Sequence, residues 1–158
     1  MGKSELDRFD RKLLAIVQQE ADLTADMLAE RVGLSASAVL RRLRRLRTDG
    51  VIVAQTAVVD PARVGKPVFF LAALEIERER PELIARLRAW LGDEEAVQQV
   101  YYVTGNADFV LVVVAPDVGA YDALMRRLMA DNPNVRRFTT NVALGVGKRS
   151  LFVPVAPD

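Results

Sequence analysis

Cysteine and histidine are both absent from the 158 residues of the chain. Without cysteine there is no disulfide framework and no thiolate metal site. Without histidine the chain lacks a common metal ligand and the side chain best suited to proton transfer near neutral pH. Aromatic residues are only 6% of the sequence, few for a surface that stacks the bases of single-stranded RNA. No apolar run approaches the roughly 20 residues of a membrane span. Met1 to Asp10 is polar and lacks the apolar segment of a secretory signal. The expected compartment is therefore the cytoplasm, with no membrane partner, no metal and no cofactor.

The same absences argue against an enzyme. Serines have no histidine to activate them. Asp93-Glu94-Glu95 sits beside Gly92 at a helix end and reads as a solvated loop. Gly145-Val146-Gly147-Lys148 lacks the rest of a phosphate-loop pattern and precedes no helix.

Hydrophobic residues make up 51% of the chain and charged residues 27%, enough to bury a core and stay in solution. Net charge is only +1, but it is unevenly placed. From Arg31 to Gly50 six arginines (31, 41, 42, 44, 45, 47) face one acid, Asp49, a local balance of +5. From Lys66 to Asp158 there are 11 basic and 12 acidic residues, a balance of −1. A local cationic stripe on a near-neutral chain points to a localised polyanionic partner.

Three helical segments come first. Asp7 caps a helix with Phe9, Leu13, Ile16 and Val17 on one side. Thr24 caps a short second helix, with Leu23 and Leu28 placed for a hydrophobic staple. Gly33 ends it. The third helix begins around Ser35 and runs to Gly50. Val51 to Val59 is rich in β-branched residues and reads as a strand. The turn-rich stretch from Asp60-Pro61 to Pro67 divides the chain into a domain of residues 1–60 and one of residues 61–158.

The second domain reads strand (Val68–Glu77), helix from Pro81, strands Val97–Val103 and Phe109–Ala115, helix after Asp117, and strand Val135–Leu144. Leu151–Val155 is a candidate edge piece. The fold class is α+β: an N-terminal winged helix-turn-helix domain joined to a C-terminal ferredoxin-like βαββαβ domain. In that arrangement both helices cover one sheet face, and the other should turn polar. Instead Phe69, Leu71 and Ala73 are apolar between apolar neighbours, as is every position from Phe109 to Ala115. A second apolar face requires a second cover. Either two copies pair sheet to sheet, or the N-terminal domain folds over it.

On a helical wheel of the third helix, Ala36, Val39, Leu40, Leu43 and Leu46 share an arc of about 120°. Ser37, Ala38, Arg41, Arg44 and Arg45 lie opposite, with Arg42 at the edge. Small residues at the start permit close backbone approach, and arginines can fork onto guanine or neutralise phosphate. Ser35, Ser37, Ala38, Arg41, Arg42, Arg44 and Arg45 are the candidate contacts to double-stranded DNA. No acid is interleaved among the arginines from Arg41 to Arg47, so they are not paired within that run. With three arginines per subunit on phosphate, a dimer's affinity should fall about a thousandfold between about 50 and 200 mM salt.

Here a resemblance becomes specific. Leu6-Asp7…Asp10…Leu13-Leu14, then Leu28-Ala29-Glu30-Arg31-Val32-Gly33-Leu34-Ser35, then Val39-Leu40-Arg41-Arg42-Leu43-Arg44-Arg45-Leu46…Gly50-Val51-Ile52 resembles the Lrp/AsnC family of bacterial and archaeal regulators. The likeness continues through Val103-Thr104-Gly105-Asn106-Ala107-Asp108-Phe109, similar to that family's effector loop, and through the C-terminal strand. It implies a sequence-specific transcriptional regulator that forms homodimers, often assembled into octamers, and responds to an amino acid or related small molecule. Ala36 stands where many relatives have proline, so operator preference does not transfer.

Taken by themselves, Thr104-Gly105-Asn106-Ala107-Asp108 describe a hairpin loop whose Gly and Asn supply positive φ. Amides beside Gly105 are also able to hold a carboxylate, and Asp108 an ammonium group. The resemblance adds Thr139 and Thr140 on the last strand as residues enclosing an effector. Tyr102 either lines the same cleft or simply packs. The candidate effector set is Tyr102, Thr104, Gly105, Asn106, Asp108, Thr139 and Thr140. The alternative is an architectural DNA-binding protein with no effector.

Overall fold

A computed structural model describes residues 5–65 and 67–155, which form two compact units. The first runs to Val58 and also takes the chain from Lys148 onward; the second is Val59–Gly147. No helix among the described residues is long and apolar enough to cross a membrane.

In the first unit, α1 (Arg8–Val17), α2 (Ala25–Val32) and α3 (Ala36–Thr48) start at side-chain caps. Asp7 accepts from the Phe9 and Asp10 amides, and the Asp10 carboxylate reaches back to the Asp7 amide, a reciprocal capping box. Thr24 Oγ1 accepts from the Met27 amide, and Ser35 Oγ from the Ala38 amide. Leu13, Leu28, Ala29, Val32, Val39 and Leu43 form the core where the helices meet, with Leu23 packed against it. Gly33 adopts φ +75°, the left-handed conformation that ends α2 and that a side chain would strain.

The strand expected over Val51–Val59 does not form. The segment bends at Val51–Ile52 and belongs to no sheet of the described residues, and Val53 and Val58 are 90% and 80% exposed. β-branched composition favours extended backbone, but a strand also needs a neighbour to take its N–H and C=O groups. The expected edge piece at Leu151–Val155 is likewise no strand. That tail nevertheless has a partner: the Gln18 amide donates to the Val153 carbonyl at 3.1 Å and accepts from its N–H at 2.8 Å.

The second unit is a four-stranded antiparallel sheet in the order β2-β3-β1-β4, from β1 (Val68–Ile76), β2 (Val97–Tyr102), β3 (Phe109–Ala115) and β4 (Val135–Val142). Helices α4 (Pro81–Asp93) and α5 (Val118–Asp131) complete the βαββαβ order. Pro81 opens α4, where its missing N–H costs nothing, and Asp117 caps α5 through the Ala120 amide. Phe70, Ala72, Leu74, Phe109, Leu111 and Val113 are buried together with Leu87 and Leu91 of α4 and Tyr121, Leu124, Met125 and Leu128 of α5. The opposite sheet face carries Leu71 paired with Val112 and Ala73 paired with Val110; Leu71 is 44% exposed. Within this unit that apolar face has no helix layer among the described residues.

Candidate nucleic-acid interface and effector loop

The turn between α2 and α3 is built from backbone. The Gly33 and Leu34 amides both donate to the Ala29 carbonyl, at 2.9 and 3.1 Å. Ala29 is buried, and its small side chain leaves room for the packed helices. Ser35, Ser37 and the start of α3 stand at the surface, the two hydroxyls 3.2 Å apart. Ala38 is half-buried.

The cationic side of α3 is narrower than the wheel suggests. Arg41 and Arg44 are exposed and make no ion pair among the described residues. Arg42 and Arg45, also expected on the DNA-facing side, instead turn toward α1. Arg42 donates to Asp7 Oδ2 at 2.7 Å and to Asp10 Oδ1 at 2.9 Å, while Arg45 donates to Asp10 Oδ2. Asp10 is completely buried. Burial pushes the Asp7 carboxyl up, but hydrogen bonds from the Asp10 amide and Arg42, with the charge of Arg42, outweigh it and hold Asp7 below its ordinary value. Desolvation likewise lowers Arg42, and its bonds to Asp7 and Asp10 more than reverse this, so it sits above its ordinary value. A surface concavity of about 200 Å³ is lined by Arg41, Arg42 and Arg45.

Leu40 corrects the wheel in the other direction. Placed on the packing arc, it is 54% exposed, while Val39, Leu43 and Leu46 are buried. The helix is therefore rotated so that Ser37, Leu40, Arg41 and Arg44 form the open edge. The rest of the cationic stripe is engaged within the first unit. Arg31 forms an ion pair with Glu20, and Arg47 donates to the Gln55 side chain. The hydrogen bond to Arg31, opposed by desolvation and aided by its charge, holds Glu20 below its usual range.

Asp7 and Asp10 were missed as residues of this site. The available signal was their i, i+3 spacing on α1, matching the i, i+3 spacing of Arg42 and Arg45 on α3. One face of each helix thus offers a pair of complementary charges.

At the other candidate site, Thr104, Gly105 and Asn106 are exposed between β2 and β3, and Gly105 has φ +116°. Asp108 is committed locally: its carboxylate accepts from the Ile76 amide at 2.7 Å, where β1 shifts register against β4. Its own amide donates to the Leu74 carbonyl, and its carbonyl accepts from Val103. Thr139 and Thr140 do not line one cleft. Thr140, paired with buried Ala72, faces the helices, where its hydroxyl meets the Tyr121 phenol at 2.6 Å. Thr139, paired with Ala73, lies on the helix-free face. Tyr102 packs against Phe109 with ring centroids 4.9 Å apart and carries the Arg88 guanidinium over its ring at 5.2 Å, so it also belongs to the helix-covered side. Of the candidate set, only Thr104, Gly105, Asn106 and Asp108 are brought together, in one loop. No group of three metal-ligating side chains occurs among the described residues, and Glu94 of the Asp93-Glu94-Glu95 run is paired with Arg127.

Comparison with known proteins agrees with both halves. Residues 6–53 match a winged helix-turn-helix DNA-binding family, and residues 70–151 match the Lrp/AsnC ligand binding domain. An uncharacterised HTH-type transcriptional regulator of Sinorhizobium fredii is 41% identical over 96% of this chain and 89% of its own length. Among solved structures, an AsnC family transcriptional regulator from Agrobacterium tumefaciens superposes with a TM-score of 0.84 at 32% identity, covering 94% of this chain and 96% of that one. A feast or famine regulatory protein from M. tuberculosis, complexed with L-methionine, gives a TM-score of 0.81 at 29% identity over 94% and 99% of the two chains.

Proposed function

Because this chain belongs to the Lrp/AsnC family of transcriptional regulators, we propose that it reads double-stranded DNA with the open edge of α3 and adjusts that reading to an amino acid or related small molecule. The observation carrying the DNA half is the exposure of Arg41 and Arg44 beside Ser37, on a helix whose other sides are packed or ion-paired. DNA reading belongs to residues 1–60 and sensing with assembly to residues 61–158. The protein acts in the cytoplasm and is not an enzyme.

Two copies pair through the helix-free face around Leu71, Ala73, Val110 and Val112, and four such dimers assemble into an octamer. The support is physical: apolar area gains about 25 cal/mol per Å² when it leaves water. Sedimentation of a stable monomer at micromolar concentration would contradict the pairing. A dimer sets two reading helices on half-sites about one DNA turn apart.

The effector is held by the loop Thr104–Asp108, with Thr139 of the helix-free face contributed across the subunit boundary, and acts by its differential affinity for the assembly states. The L-methionine complex of the M. tuberculosis relative supports an amino acid as the chemical class. One observation favours the effector-free, architectural reading. The Asp108 carboxylate already takes the Ile76 amide, and a turn explains Gly105. A thermal-shift screen of the amino acids, with gel shifts for each hit, separates the two. No stabilisation by any amino acid selects the architectural reading.

A further inference from the structure

Two pairs of arginines run along α3 at i, i+3 spacing: Arg41 with Arg44, and Arg42 with Arg45. Successive helix residues are about 100° apart, so the members of one pair project within about 60° of each other and the mean directions of the two pairs differ by about 100°, with Arg45 about 40° from Arg41. Chemically the pairs are equivalent; the buried Val39, Leu43 and Leu46 place Arg41 and Arg44 on the outer side of α3 and Arg42 nearest the core, which fixes the rotation only coarsely. The apolar contacts of Val39, Leu43 and Leu46 are non-directional and tolerate some rotation about the helix axis.

Asp10 makes the choice directional. Its buried carboxylate offers one oxygen to Arg42 and the other to Arg45, while Asp7 takes a second bond from Arg42. Charge-assisted bonds of this kind are short and geometrically demanding. The carboxylate is itself held, because Asp10 lies in the first turn of α1 and closes the capping box on the Asp7 amide. The start of α1 is thereby coupled to the rotation of α3. Two acids meet two arginines, so the cluster is neutral and engages two of these four guanidinium groups, although Arg45 stays partly solvated.

We propose that Asp10 is a positioning residue for DNA reading: by sequestering Arg42 and Arg45 it orients Arg41 and Arg44 outward and keeps two surplus cations from gripping phosphate non-specifically. The proposal rests on the DNA-reading function stated above. Without Asp10, Arg45 loses its carboxylate and becomes available to the polyanion, Arg42 keeps only its bond to Asp7, and the rotation of α3 loosens. Binding to any duplex then persists or tightens, while preference for one sequence declines. A residue that merely holds the fold together would weaken both kinds of binding in parallel.

The test compares full-length wild type with Asp10→Asn on two probes: the duplex enriched by wild type from a randomised library, and poly(dI-dC). The expected result is a loss of about tenfold in the ratio of the two affinities, the scale of a forfeited base contact. Affinity for poly(dI-dC) is held or raised, and its salt dependence steepens as released arginines reach phosphate. In D10N/R42Q/R45Q the added salt dependence disappears while discrimination stays low. Should D10N fail to fold by circular dichroism, Arg45→Gln, at a partly solvated position, reports instead through the same affinity ratio. An unchanged ratio in the folded variant, or parallel weakening on both probes with an unchanged salt slope, overturns the proposal. Wild type binding neither probe overturns the DNA-reading function itself, a distinct result.

Discussion

The phenol of Tyr121 on α5 and the hydroxyl of Thr140 on β4 lie 2.6 Å apart, oxygen to oxygen, and the same tyrosine ring stacks on Phe70 of β1 at 4.0 Å. One side chain thus joins a helix to two neighbouring strands. Burial pushes the pKa of the Tyr121 phenol above its ordinary value, and the Thr140 bond only partly offsets this.

Tyr121→Phe keeps the stack and deletes the hydroxyl. The second unit should lose about 1 kcal/mol, the net value of one such hydrogen bond, measurable by urea denaturation. If Thr140 acts only as this structural partner, Thr140→Val reproduces the loss without altering effector response, whereas Thr139→Val alters the response and leaves stability nearly unchanged.

Arg41→Ala and Arg44→Ala should each weaken DNA binding with little change in melting temperature, since both side chains are exposed and unpaired among the described residues. With two such arginines per subunit on phosphate instead of three, a dimer loses about a hundredfold in affinity between about 50 and 200 mM salt, not a thousandfold. Gel-shift titrations across that range distinguish the two slopes.

Arg45→Ala behaves differently, contrary to what its place on the wheel implies. It leaves one oxygen of the buried Asp10 carboxylate without its cation. A loss of ~2 kcal/mol is expected, below the ~3–5 kcal/mol of fully buried pairs because Arg45 is partly solvated. Chemical denaturation measures it.

Acid should loosen the first unit through Asp7. Its carboxyl ionises below its ordinary value of 3.8 when folded, so the stability it contributes is present above that value and fades as pH falls through the lower, folded one. Asp7→Asn retains a good helix cap but removes the titration. Thermal melts between about pH 5 and pH 3 should therefore show a shallower decline in the variant.

Gln18→Ala deletes both hydrogen bonds to the Val153 backbone. Tryptic cleavage at Lys148 and Arg149 should accelerate about fivefold, the factor for roughly 1 kcal/mol of lost local stability. Mass spectrometry of timed digests follows it.

Local rules alone determine most element boundaries. Asp7, Thr24, Ser35 and Asp117 cap the helices, Gly33 ends α2, and Phe109–Ala115 is a strand over the expected residues, because caps, turns and hydrophobic periods act over three or four positions. The opposite facing of Thr139 and Thr140 was legible from strand alternation as well. Tertiary structure alone decided three matters. Val51–Val59 lacks a sheet partner despite its β-branched composition, and the tail at Val153 finds Gln18, 135 positions away. Most consequentially, Arg42 and Arg45 face inward to acids 32 to 35 positions earlier in the chain. A helical wheel records the angle between side chains of one helix. It holds no information about the charge waiting on the helix packed against it.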